Sequence, residues 1–405
     1  MRSAASSRIW QRSESLIMAA ASMIARQIAT VLFACMVAAP CHGGQLPSAG
    51  KTRLYIGTLA LGASQGIYQA ELNPESGELQ LVGRAGNVAN ASFLAIHPSR
   101  QCLYAACEID EYVDSKGGAI AAFHIDADTG DLALINHQSS AGALPCHLSL
   151  DQQGQHALVV NYLRGNAAVL PIDADGKLGP ATTTVQHHGS SVHNVRQRQP
   201  HPHSINLDAA NRYAFVADAG TDEIFIYRFD STAGTLTPHD PPALQSSPGA
   251  APRHFAFHPN GKSAYVVNEL DSTVTAMRYD PERGVLEAIQ TLSTLPTDAI
   301  VDNLTAEIVV HPSGKFLYAS NRGHDSIAMF AINPATGLLT PLGQHPSGGR
   351  TPRHFSIDPT GKFLLSANQD SNNIVVHNID SASGKLTRSA HEITVPNPAC
   401  IKFVP

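Results

Sequence analysis

One pattern recurs along this chain at intervals of about 50 residues. Its clearest copies are HFAFHPNGKSAYVVNELDSTVTAMRYD at 254–280, EIVVHPSGKFLYASNRGHDSIAMFAIN at 307–333 and HFSIDPTGKFLLSANQDSNNIVVHNID at 354–380. Looser copies begin at Phe93, His147 and His203. Each reads as a short apolar strand, a tight turn, a second strand ending in Asn or Asp, and a third alternating strand. A weaker fourth strand follows, as in GVLEAIQTL and GKLTRSAHEI. Four short strands at this period are the grammar of propeller blades.

The two ends complete the count. TRLYIGT at 52–58 matches a second strand with no first strand before it, and ACIKFVP at 399–405 matches a first strand with no second strand after it. Pairing them makes one blade from both termini and leaves no open edge at the seam. The sequence therefore predicts an all-β, seven-bladed β-propeller over residues 51–405. Composition agrees: 31 Gly and 26 Pro punctuate turns, and no long helical pattern occurs.

Residues 1–43 read as a leader. Arg26 precedes the apolar run IATVLFACMVAAP, which is too short for a confident membrane span, and small residues follow it. Met18 and Met23 are alternative starts. Pro40 stands where a lipoprotein signal would need a small residue before Cys41, so a lipid anchor is not expected. The reading is export to the periplasm or beyond, with a cytoplasmic protein as the alternative and no membrane span in the mature chain. The leader holds four arginines against one glutamate, so its removal takes the formal charge from −6 to −9. A mildly acidic body has no electrostatic footprint for nucleic acid. A monomer is expected.

Four cysteines remain beyond the leader: Cys102, Cys107, Cys146 and Cys400. The first two share a strand, five residues apart and so about 16 Å, with side chains on opposite faces. They cannot bridge each other, and all four read as buried thiols packing as small apolar groups.

Propeller geometry locates the site without a motif. The start of each first strand and the end of each second strand meet on one face of the disc. The first-strand starts carry Cys146-His147, His201-Pro202-His203, Arg253-His254, Glu307 and Arg353-His354. The second-strand ends carry Glu108, Asn161, Asp218, Asn268-Glu269, Asn321-Arg322 and Asn368-Gln369. The opposite face receives the HPxGK turns, whose His97, His258 and His311 read as structural. Repeated Asn at strand ends equally suits a turn-shaping role, and the repeated His147, His254 and His354 equally suit packing between blades. The departures from the repeat say more: Glu269, Arg253, Arg322, Arg353 and the pair His201/His203. One connection, VQHHGSSVHNVRQRQPHPH at 185–203, is long, polar and without strand pattern, as functional loops are. Its histidines have no carboxylate beside them in sequence, which disfavours a zinc site.

At these residues the chain resembles the 6-phosphogluconolactonase-type lactonase propellers, a family that includes the carboxy-muconate lactonising enzymes. The likeness runs from Leu54 to the C-terminus. It is carried by Arg196-Gln197-x-x-Pro200-His201-x-His203, Asp218-x-Gly220-Thr221-Asp222, Gly249-x-x-Pro252-Arg253-His254 and Val267-Asn268-Glu269-Leu270. The resemblance implies a lactone-opening enzyme with a small-molecule substrate and no cofactor or metal. It places the catalytic roles on His203, Arg253, Glu269 and Arg322. Glu269 is then the expected general base and His203 the expected proton donor or relay to the leaving oxygen. Arg253 and Arg322 would hold the oxyanion or a substrate anion. His201, Arg196, His254, Asn268, Arg353 and His354 are expected substrate contacts. The alternative is a non-catalytic exported propeller of the YVTN-repeat kind, since Tyr265-Val266-Val267-Asn268 has that grammar without requiring a charged mouth. Metal-dependent six-bladed lactonases are disfavoured by the blade count.

Overall fold

The computed structural model describes residues 50–405 apart from 60–63, 65 and 113–114, so the expected leader at 1–43 lies outside the described residues. All regular elements among the described residues are strands, and none is a helix long and apolar enough to cross a membrane. They form seven four-stranded antiparallel sheets and one small hairpin. Blade 1 combines the ends of the chain: from inside out it holds Pro398–Phe403, Thr52–Thr58, Ile67–Leu72 and Leu79–Gly86. Blades 2 to 7 are continuous in sequence, and their first strands are Ala91–Ile96, Pro145–Leu150, Pro202–Leu207, Pro252–Phe257, Leu304–Val310 and Pro352–Ile357. These first strands and Pro398–Phe403 touch one another around the ring, which makes them the inner wall of the channel.

Burial explains why the repeat looks as it does. A second strand is packed on both faces by neighbouring blades, so Ser263–Asn268 and Phe363–Asn368 are buried at every position. The outermost strands touch little and alternate between half-buried and exposed residues, as in Leu386–Thr394. The core accordingly lies between blades. Phe215, Ala217 and Ile226 of blade 4 pack on Phe255, Val266 and Met277 of blade 5, and Tyr265 and Val274 of blade 5 pack on Leu317 and Phe330 of blade 6.

Polar ties repeat with the same period. In the reversing turns, His258 Nε2 donates to the Gly314 carbonyl of the next blade (2.8 Å) and His311 Nε2 to that of Gly361 (2.9 Å). Each ring accepts a turn N–H on Nδ1, from Asn260 and Ser313 respectively. Gly314 and Gly361 adopt positive φ, and a Cβ on either would stand 2.8 Å from the histidine ring. A second tie runs from tyrosine hydroxyls in second strands to glycine carbonyls one blade on: Tyr104 to Gly176, Tyr265 to Gly337 and Tyr318 to Gly384.

One irregularity is repeated in all seven blades. Where the first strand meets the end of the second, the register slips, leaving Ser92, Cys146, His203, Arg253, Arg353 and Ala399 as extra residues on the inner strand. In blade 6 the two residues Ala306 and Glu307 stand opposite Ser320 alone. Such β-bulges twist a strand locally and re-aim its side chains. They set the channel mouth.

The terminal strands pair as expected, with Leu54 opposite Phe403, Ile56 opposite Ile401 and Gly57 opposite Cys400. Cys400 and Ile401 are completely buried. Deleting 399–405 removes this inner strand, and losing the Ile401 side chain alone costs roughly 2–5 kcal/mol. The truncated protein is expected to be insoluble or to melt far below the full chain in a thermal scan. Unchanged melting would show that the seam contributes nothing.

Candidate active site

The long connection before blade 4 is built by two aspartates. Asp218 ends the second strand of blade 4. It accepts the backbone N–H of His201 (2.7 Å) and of Gly220 (2.9 Å), and the Nδ1–H of His187 (2.7 Å). Asp222, four residues on, accepts from Gln197 Nε2, Ser191 Oγ and the backbone N–H groups of Gly249 and Ala251. Gln197 is fully buried. Gly220 has to be glycine, since a Cβ there would lie 2.0 Å from the Gln199 carbonyl oxygen and 2.6 Å from the His201 nitrogen. The loop histidines are thereby used in folding: His187 lies under Phe225 (ring centroids 3.9 Å), and His193 Nδ1 accepts the backbone N–H of Arg196. His187 does have a carboxylate partner, supplied through space by Asp218 rather than along the sequence.

This loop delivers Arg196 to Glu269. The Glu269 carboxylate is contacted by Arg196 Nη2 on Oε1 (2.8 Å), Arg322 Nη2 on Oε1 (3.3 Å) and Arg253 Nε on Oε2 (3.3 Å). Arg253 is the bulged residue of blade 5 and Glu269 follows the strand antiparallel to it, with Pro252 opposite Asn268. Arg322 ends the second strand of blade 6. Backbone carbonyls hold two of the guanidiniums, Ala306 accepting from Arg253 (2.6 Å) and Thr305 from Arg322 (2.7 Å). Glu269 and Arg253 are only 3% and 2% exposed.

Burial by itself would raise the Glu269 pKa, but Arg196, Arg322 and Arg253 together outweigh it and hold the carboxyl well below the usual carboxylate range. Burial pushes the Arg322 guanidinium down to about 9, against the pull of Glu269, so it stays protonated near neutrality. Arg353, the bulged residue of blade 7, faces Glu108 at 3.8 Å. The rim thus carries four guanidiniums around two carboxylates.

Rings line the inner wall beside these charges, His203 at the level of the bulges and Phe93, His147, His254 and His354 one residue further along their strands. His203 is the bulged residue of blade 4, with Nδ1 at 3.8 Å from the Cys146 thiol and its ring 5.3 Å from that of His254. Burial, then Arg253 and His254, keep it neutral by lowering its pKa well below the ordinary imidazole value. His254 also neighbours His147 (5.4 Å) and Phe93 (5.8 Å), and the Lys402 ammonium sits 4.4 Å from the Phe93 ring centre. Glu307 joins two of these histidines: both its oxygens lie 3.1 Å from His254 Nδ1, and Oε2 lies 3.1 Å from His354 Nε2.

Of the residues singled out from sequence, Arg196, Arg253, Glu269 and Arg322 converge directly, while His203 lines the channel at the bulge level and His254 and His354 one residue further along their strands. His201 stacks on Tyr162 (4.3 Å) and donates Nδ1–H to its carbonyl. Asn268 turns away, its amide donating to Thr273 and Thr275 of its own blade. The roles expected for two residues change with this geometry. A carboxylate held by three guanidiniums is a poor proton acceptor, and a histidine kept neutral has no imidazolium proton to give until it has first taken one up. Arg196, expected as a secondary contact, makes the shortest contact to Glu269. Tyr162 is not among the residues named from sequence, and Glu307 is named there only as a first-strand start at the mouth, without a role; its break of the repeat, where blades 5 and 7 have Arg-His, is the available signal.

Residues 53–403 match the family described as lactonase, 7-bladed β-propeller. The chain belongs to this family of lactonase enzymes. It is 37% identical over 350 residues to the 6-phosphogluconolactonase of Bacillus subtilis, covering 86% of this chain and 97% of that relative. The 6-phosphogluconolactonase of Formosa agariphila is 38% identical over 297 residues, covering 72% and 82%. Among solved structures, the periplasmic gluconolactonase of Pseudomonas aeruginosa superposes with a TM-score of 0.83 at 30% identity, covering 88% of this chain and 99% of that one.

Removing the Glu269 charge leaves three guanidiniums buried without their counterion. Glu269→Gln is expected to lose roughly 3–5 kcal/mol of unfolding free energy at pH 7. Because the folded pKa lies below the ordinary glutamate value of about 4.5, this stabilisation is present above about that pH and is lost as pH falls. Denaturant titrations at pH 7 and pH 3.5 should therefore show the gap to wild type shrinking on the acid side. A constant gap would remove the ion-pair account.

Proposed function

We propose that the protein hydrolyses an aldonic acid lactone, with preference for a form carrying a phosphate or another anionic substituent. The observation that carries this reading is the convergence of Arg196, Arg253 and Arg322 on Glu269, with Arg353 on the same rim. Four guanidiniums face two carboxylates, so the mouth keeps an excess of positive charge inside an acidic protein. Arg322 and Arg353 retain side-chain exposures of 13% and 18%, against 2% for Arg253, and so remain open to an incoming anion. The names of the relatives support the same chemistry.

Opening a lactone needs water to add to the ester carbonyl, charge to collect on oxygen, and a proton to reach the departing ring oxygen. The guanidiniums supply donors for the oxyanion, and Arg forks suit phosphate or carboxylate. Glu269 acts in this reading as the anchor that keeps Arg196, Arg253 and Arg322 aligned, and the proton acceptor is an imidazole of the inner wall. A binding propeller of the YVTN kind has no use for buried charges gathered at one mouth, and is not favoured. Export remains our reading of the N-terminus, supported by Arg26, the apolar run after it and the periplasmic relative. Fractionation of cells expressing the full chain should then recover a shortened mature protein outside the cytoplasm; a full-length cytoplasmic product would reverse it.

Initial rates above the spontaneous background should be measured on δ-gluconolactone, its 6-phosphate and a muconolactone. One extra charge-assisted hydrogen bond of 1.5–3 kcal/mol corresponds to about tenfold or more in kcat/KM. The 6-phosphate is expected to show that advantage, and Arg322→Lys to reduce it. Equal rates on both sugar lactones would limit the arginines to the oxyanion. No turnover on any of the three would refute the lactonase reading.

A further inference from the structure

We propose that His254 is the base that activates the attacking water, and that Glu307 is its positioning residue. The inference rests on the lactonase reading above and assigns a proton acceptor within it. Both oxygens of Glu307 lie 3.1 Å from His254 Nδ1, so that nitrogen carries the proton and donates it to the carboxylate. The other ring nitrogen, Nε2, is then a lone-pair acceptor. It is buried and has no hydrogen-bond partner among the described residues, in a side chain only 6% exposed. Other buried side-chain atoms here also lack a partner, His187 Nε2 and His377 Nδ1 among them, so this one is informative only together with its place on the channel wall beside the arginines.

The place suits a base. His254 follows Arg253 on the same bulged strand, so the unpartnered nitrogen belongs to the residue next to the guanidinium that touches Glu269. Burial, with Arg253 and Lys402 nearby, lowers the His254 pKa well below the usual imidazole value, which leaves Nε2 free at rest but makes it a weaker base, so the assignment stands on the geometry and on the Glu307 carboxylate that faces the ring once it is protonated. Glu307 is equally well prepared. The bulge in blade 6 sets it with Ala306 opposite Ser320 alone, its backbone N–H donates to Ser320 Oγ, and its Oε1 accepts the N–H of Ile308 (3.0 Å). His354 Nε2 donates to Oε2 from the far side. The carboxylate is thereby held from both sides, and the His254 tautomer and ring plane follow from it.

The neighbouring imidazoles lack this arrangement. His203 has a thiol rather than a carboxylate at Nδ1. His147 Nδ1 accepts the Ile205 N–H at 3.4 Å. His354 has both nitrogens engaged, accepting from Ile401 N–H and donating to Glu307. His187, farther off, has the same pattern, with Nδ1 on Asp218 and a buried Nε2 without a partner, but its ring lies against Phe225 on the third strand of blade 4, away from the channel wall.

In the reaction, His254 Nε2 takes a proton from water as the water oxygen bonds to the lactone carbonyl carbon. The electron pair of the carbonyl moves onto its oxygen, which the rim guanidiniums stabilise. Collapse re-forms the carbonyl and breaks the bond to the ring oxygen, which leaves with the proton now on Nε2. The products are the hydroxy acid and the neutral imidazole, and one water has been consumed.

The test compares His254→Asn, His254→Gln and Glu307→Gln with wild type on whichever lactone wild type opens best. Asn keeps an amide near the Nδ1 position, so it retains a donor to Glu307 while deleting Nε2. Its kcat is expected to fall by about 10²–10⁴, with KM within about twofold and melting close to wild type. His254→Gln should lose kcat to the same degree. Glu307→Gln keeps an acceptor but removes the charge, and should lower kcat by about 10-fold or more, as outer partners of a working histidine do, again with KM little changed. A folded His254→Asn or His254→Gln that turns over at the wild-type rate overturns the proposal and leaves the lactonase reading intact. A Glu307→Gln variant that loses melting temperature but keeps kcat makes the bridge purely structural and overturns Glu307's role. A wild-type protein that opens no lactone removes both readings together.

Discussion

A ring of sheets holds its shape only when the last blade packs on the first as firmly as every other neighbouring pair. Here the closure is made by Pro398–Phe403 pairing with Thr52–Thr58, strands separated by nearly the whole chain. Once the ring is shut, each blade is held by neighbours on both sides, through apolar clusters that always span two or more blades. The site depends on this constraint. Glu269 belongs to blade 5, and its partners arrive from blade 5, blade 6 and the connection before blade 4. Arg196 and Arg322 could not stay within 3.3 Å of the carboxylate if the blades were free to splay.

The charged mouth is not where the fold draws its stability. Burying one carboxylate and several guanidiniums costs desolvation that consumes much of what their mutual attraction gains. What the arrangement secures is geometry. Arg253 and Arg322 each bond a backbone carbonyl as well as Glu269, so their positions are determined twice. Stability comes instead from the wholly buried second strands and from the histidine and tyrosine ties between successive blades. The two functions occupy opposite ends of the same strands: turns that reverse the chain on one face, bulges that present chemistry on the other.

The bulges explain why a repeat can build an asymmetric site. Every blade displaces one inner-strand residue at the same level, and the ring then presents serine, cysteine, histidine, arginine, an alanine–glutamate pair, arginine and alanine in turn. The backbone device is common to all seven, whereas the side chain is free to vary. Divergence at a single repeat position is therefore enough to change the chemistry of the mouth without altering the scaffold.

Much of this was written in local sequence. Strand length, turn residues and a repeat near 50 residues determined the blades, since each reports interactions within one hairpin or between adjacent copies. The orphan strands at 52–58 and 399–405 determined the closure. The convergence of Arg253 with Glu269 was legible because the two lie on one hairpin, where antiparallel pairing relates residue positions directly. The remainder needed the folded ring. Arg196 reaches Glu269 because Asp218 and Asp222 shape a connection that has no strand periodicity to read. Glu307 meets His254 and His354 because a two-residue bulge sets it on the inner wall between blades 5 and 7, and bulges leave no mark in a pattern of apolar alternation. Proton affinities lay still further from the sequence. Glu269 and His203 carry ordinary side chains, and only the number of guanidiniums around one and the burial of the other decided which of them can take up or give a proton.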